Sequence, residues 1–96
     1  MDNLALLLDC NCVFPFTKIE INNGCFVYRQ KEREISRGSI KTIIQFVNTV
    51  IHRYPRAKLP IIFELGEAKF SDKLTYVLFE CLCYYLIEEK SIELKF

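Results

Sequence analysis

The chain has 96 residues, 51% of them hydrophobic and 26% charged, and thirteen Lys and Arg against twelve Asp and Glu leave a formal net charge of +1. That length excludes two domains, and that apolar content excludes a disordered chain. The near balance of charge, mixed along the sequence, excludes the broad cationic field that nucleic acid requires, so nucleic acid is not an expected partner.

The opening "MDNLALLLDC" carries an acid at position 2 and no basic segment ahead of its apolar run, so it does not read as a secretory signal. The apolar run from Leu74 to Ile87 is too short to span a bilayer and carries Glu80 at its middle. A cytoplasmic protein without a membrane partner is the expectation. Arg53, Arg56 and Lys58 form the nearest approach to a basic cluster, and they fall at a predicted helix end where cations complement the helix dipole.

In chain order, "LALLLDCNCVF" reads as a first strand ended by Asp9 and Asn11 ahead of Pro15. In "TKIEINNGCFVYRQ", Ile19 and Ile21 alternate with Lys18 and Glu20, "NNG" tolerates positive φ, and Phe26 and Tyr28 resume the alternation, which predicts a β-hairpin. The polar "RQKEREISRGS" reads as a loop. Ile40, Ile43, Ile44, Val47, Val50, Ile51 and Tyr54 then recur at offsets of 0, 3, 4, 7, 10, 11 and 14, one face of an α-helix that Ser36 or Ser39 caps and Pro55 ends.

"LPIIFEL" is a nearly continuous apolar run, as expected of a central strand covered on both faces. Gly66 releases the backbone, Ser71 or Asp72 caps a second helix from about Lys73 to Glu89, and "SIELKF" closes as a last strand with Ile92, Leu94 and Phe96 on one face. The expected order is strand, hairpin, helix, strand, helix, strand: a single α/β domain over residues 1–96 with a small mixed sheet, in which helix-linked strands are parallel.

The second helix has an apolar face of Leu74, Val77, Leu78, Cys81, Leu82, Tyr85 and Leu86, yet Tyr76, Phe79, Cys83, Tyr84 and Ile87 populate its other sides. Only Thr75 and Glu80 interrupt it. A small sheet covers one side of such a helix, so Tyr76, Phe79, Cys83, Tyr84 and Ile87, with Asp72 and Lys73 at its start, are the expected partner-binding residues. Tyr and Phe are residue types that anchor interfaces, and a second copy or another protein would cover them.

No catalytic constellation is legible. His52, the one histidine, has no Ser or Cys beside it in sequence, and Glu64 and Glu67 straddle a glycine bend without a third group. The five cysteines form two C-x-C pairs, Cys10 with Cys12 and Cys81 with Cys83, plus Cys25. On a helix, residues two apart point about 200° from each other, so Cys81 and Cys83 do not converge on one ion. Neither a metal nor a cofactor is expected, and an enzyme is not.

The segment from Ile35 onward, above all "IIFELGEAKFSDKLT", resembles STAS domains, the fold of bacterial anti-sigma-factor antagonists and sulfate-transporter tails. In those a hairpin and a helix precede a buried strand that runs through an acidic and small-residue corner into an apolar helix. The resemblance covers residues 35–96 and implies a STAS-like fold, which would continue with a further helix in a longer chain. It places Glu64 near the family's strand-end acid, Gly66 and Glu67 near its Ser-Gly, Phe70 at its aromatic and Asp72 at the acid before the phosphorylated serine. At the phosphoacceptor position this chain has Lys73, with Ser71 and Thr75 nearby but out of register.

STAS-like modules occur beside GHKL-type ATP-binding domains, so an N-terminal module of such a protein is one expectation. The helix "LTYVLFECLCYYLIEE" is itself loosely similar to the GHKL helix, with Glu80 at its acid, but Tyr84 stands where the metal-holding asparagine belongs and no glycine-rich lid follows. The resemblance implies a non-catalytic regulatory module that binds protein partners. A small free-standing inhibitor of a host protein, phage-encoded for example, fits the same sequence.

Overall fold

A computed structural model describes residues 18–96. The first expected strand, with Cys10 and Cys12, lies outside the described residues.

The hairpin pairs β1 (Ile21–Asn22) antiparallel with β2 (Cys25–Arg29). Asn23 (φ 53°) and Gly24 (φ 73°) both sit in the left-handed region, the geometry of a two-residue type I′ turn whose twist matches that of the strands. β3 (Glu34–Ile35) follows, and then α1 (Arg37–Arg53). A reciprocal capping box starts α1: Ser36 Oγ accepts from the Ser39 amide, and Ser39 Oγ accepts from the Ser36 amide. Both predicted serines are therefore used, one as the cap and one as its partner.

β4 (Ile61–Glu64), β5 (Lys69–Phe70), α2 (Lys73–Glu88) and β6 (Leu94–Lys95) complete the fold. The main sheet runs β1-β2-β4-β6, with β2 parallel to β4 and β4 parallel to β6, so the helix-linked strands are parallel as expected. The two crossovers step the same way across the sheet. Right-handed connections then place both helices on one face, and the core has that composition: Phe26, Tyr28, Ile61 and Phe63 from the strands meet Ile43, Phe46 and Val47 of α1 and Phe79, Leu82 and Leu86 of α2. The chain is thus an α/β fold with a small mixed sheet.

The stretch read as a loop contains β3, which pairs with β5, and three further details differ from the sequence reading. Phe46 enters the α1 core face, edge-on to Tyr28 at 5.4 Å between ring centroids, while Ile44 and Ile51 are only partly buried. The strand buried on both faces is β2, from Cys25 through Tyr28, whereas β4 alternates, with Ile62 half-buried and Glu64 exposed. Phe96 is 74% exposed, although its ring reaches within 6.0 Å of Phe63, while Ile92 and Leu94 pack on the core.

Candidate interaction surface

The corner after β4 is held by backbone bonds. Gly66 takes φ 60°, a conformation in which a side chain is strained, and the chain then returns as β5 to lie parallel to β3. The Lys69 amide donates to Arg33 O at 3.0 Å and the Ser71 amide to Ile35 O at 3.0 Å. The corner is therefore pinned to the segment that starts α1, although β3 and β5 lie far apart in sequence and each has two residues. Between these segments, past the carboxyl ends of β2 and β4, opens a cleft of about 700 Å³. Its rim mixes Lys31, Arg33 and Lys69 with Glu32, Glu34 and Glu67, so it selects no sign of charge.

Asp72 caps α2. Its Oδ1 accepts from the Thr75 amide at 2.8 Å, and that bond, aided by Arg37 with Nη2 3.8 Å from Oδ2, holds the carboxyl below its ordinary range. The Arg37 contact is exposed on both sides and adds little by itself. Lys73 is exposed at the first helical position. Thr75 is completely buried, its hydroxyl 3.2 Å from Ser71 Oγ, so of the two hydroxyls flanking Lys73 only Ser71 is reachable from solvent in the folded protein.

The faces of α2 are not those expected. Thr75, Phe79, Leu82 and Leu86, at offsets of 0, 4, 7 and 11, are its buried residues. Phe79 is thus corrected from the partner-binding side to the core: it is 5% exposed and lies 5.4 Å from Phe63 and 5.5 Å from Phe70, ring to ring. Leu74 and Val77, expected to face the sheet, point to solvent instead. The aromatic recess formed by Phe63 and Phe70 accepts a flat ring, and the Ser71 hydroxyl satisfies Thr75, so the helix turns these two residues inward.

Tyr76, Tyr84 and Ile87 lie on the solvent side as expected, Tyr84 at 63% exposure, whereas Cys83 is half-buried and burial pushes its thiol up to about 12. Tyr76 is braced, its hydroxyl donating to Glu80 Oε2 at 3.3 Å and its ring edge-on to Phe70 at 5.2 Å. The outward side of α2 therefore presents Leu74, Tyr76, Val77, Tyr84 and Ile87. α1, by contrast, turns Lys41, Thr42, His52 and Arg53 to solvent.

The residues weighed for catalysis are dispersed. Glu64 of β4 joins Glu20, just before β1, around Arg29 of β2, with Arg29 Nη2 2.7 Å from Glu20 Oε2 and Nη1 on Glu64 Oε2, while Glu67 lies on the corner and His52 near the end of α1. Cys25, Cys81 and Cys83 are free thiols. Among the described residues no group of three or more His, Cys, Asp or Glu is placed to hold a metal ion, and no helix is long and apolar enough to cross a membrane.

Compared with known proteins, the chain matches no family model, no curated protein and no solved structure.

Proposed function

We propose that this chain is a non-catalytic, regulatory protein-interaction module of STAS-like type, and that its docking surface is the outward side of α2 with Lys73 at one end. One observation carries the reading: five large apolar or aromatic side chains, Leu74, Tyr76, Val77, Tyr84 and Ile87, are exposed along a single helix. Single exposed apolar residues are ordinary, but a row of them on one element marks a contact surface. Two of the five are tyrosines, which bring large contact area at low entropic cost and a hydroxyl for the rim. The STAS-like part is supported by the order hairpin, helix, strand, corner, helix, strand and by the parallel crossovers.

The test is a photo-crosslinking residue placed at Tyr84 and, separately, at Lys41 on the polar side of α1. The reading expects a discrete protein adduct from position 84, whether to another chain or to a second copy, and none from position 41. Equal yields from the two positions, or none from either, overturn it.

A further inference from the structure

We infer that the outward side of α2 is covered by the same side of a second copy of this chain, the two helices antiparallel so that Lys73 of each lies against Glu88 of the other. The inference rests on the docking role proposed above and names its occupant.

At 3.6 residues per turn, Lys73, Val77, Glu80, Tyr84 and Ile87 follow one another at alternating spacings of four and three, a narrow seam along the helix, and all five are exposed. Apolar groups occupy both halves of this side, Leu74 and Val77 in the first and Tyr84 and Ile87 in the second. A second helix of the same sequence therefore meets apolar with apolar in either direction. Charge decides between the two. A parallel copy sets Lys73 on Lys73 and Glu88 on Glu88; an antiparallel copy sets opposite charges together at both ends.

The helix dipole, positive at the N-terminus and negative at the C-terminus, favours the same direction. α2 has no acidic residue in its first turn and no basic residue in its last; its first residue is Lys73 and its last two positions are Glu88 and the cap Glu89. Apart from the Asp72 cap at one end and Lys90, which lies over the Tyr85 ring just past the other, the end residues carry the charge that their own dipole disfavours. An antiparallel copy reverses this, bringing Lys73 to the partner's C-terminal end and Glu88 to its N-terminal end. One feature opposes the pairing: Glu80 lies mid-seam, where two carboxylates approach, and the Tyr76 hydroxyl bonds one oxygen of each.

Sedimentation equilibrium of the full chain from micromolar to millimolar concentration tests the inference. A reversible monomer–dimer equilibrium is expected. Lys73→Glu and Glu88→Lys are each expected to weaken it on the order of tenfold, and the two substitutions together to restore it, because the swapped charges again meet across the pair. Glu80→Gln is expected to tighten it. The Lys73→Glu monomer should at the same time resist urea at least as well as the parent, since an acid suits that helix end, so a fall in association is not a fall in folding. A monomer at every concentration, or a double variant as weak as the single ones, overturns the inference. If the chain stays monomeric while the crosslinker at position 84 captures a different protein, the second copy is excluded and the docking role stands.

Discussion

Two backbone positions show opposite uses of the left-handed region. Gly24 takes φ 73° at no steric cost, whereas Ser91, just past α2, takes φ 53° with a Cβ in place. At Ser91 the conformation lets the Ile92 amide close back on Leu86 O at 2.9 Å, a bond that satisfies one of the last carbonyls of the helix. Ser91→Gly is therefore expected to stabilise the fold by about 0.5–1 kcal/mol, and Gly24→Ala to destabilise it by about 1 kcal/mol, both read from urea midpoints at constant slope.

Asp72 gives a prediction with a sign. Its carboxyl titrates lower in the folded protein than in the unfolded chain, chiefly through the Thr75 amide. The stability it contributes is complete above the ordinary carboxylate range and is lost as pH falls through the lower folded value. Asp72→Asn keeps a capping side chain and removes the titration, so its unfolding midpoint should fall less steeply than the parent's below about pH 4. Asp72→Ala should lie below the parent at neutral pH. An acid limb of equal slope in the parent and Asp72→Asn would place the titration elsewhere, Glu20 beside Arg29 being next in line.

At the scale of the element, α2 has an inner and an outer side that substitutions tell apart. Leu82 is completely buried, so Leu82→Ala removes packed methyl groups and leaves a cavity, at a cost of about 2–5 kcal/mol. Tyr84 is mostly exposed, and Tyr84→Ala should change the stability of the monomer by less than about 0.5 kcal/mol. Chemical denaturation at low protein concentration measures both; similar losses at the two positions would contradict the orientation of α2. Cys83 adds an alkylation readout, because a thiol raised to about 12 by burial stays protonated at pH 8 and is expected to react only when the helix opens.

For the whole molecule, the sheet organises everything else. β2 and β4 are the central strands, β1 and β6 the short edges, and both helices lie on the face carrying Phe26, Tyr28, Ile61 and Phe63. Among the described residues nothing covers the far side of α2, which is why an apolar helix here has a surface to offer. If a second copy fills that surface, the melting temperature should rise with protein concentration by mass action, and Lys73→Glu should move that rise to about tenfold higher concentration. A melting temperature independent of concentration in the parent would argue for a monomer.

Local rules carried the sequence a long way. "NNG" demanded positive φ and produced the hairpin turn; the regular recurrence from Ile40 to Tyr54 produced α1; and the helical crossovers made the strands they link parallel. The start of α2 followed from the same local chemistry, which offered Ser71 or Asp72 as its cap, and Asp72 is the cap. Two things escaped it. The β3–β5 pair joins two-residue strands distant in sequence, too short to show any periodicity. The inward side of α2 was also hidden, because a helix apolar nearly all round has no dominant face to read. There the tertiary structure decided: the ring-shaped space beside Phe63 and Phe70 drew Phe79 into the core, Ser71 made a buried Thr75 tolerable, and Leu74 and Val77 were left for solvent or a partner.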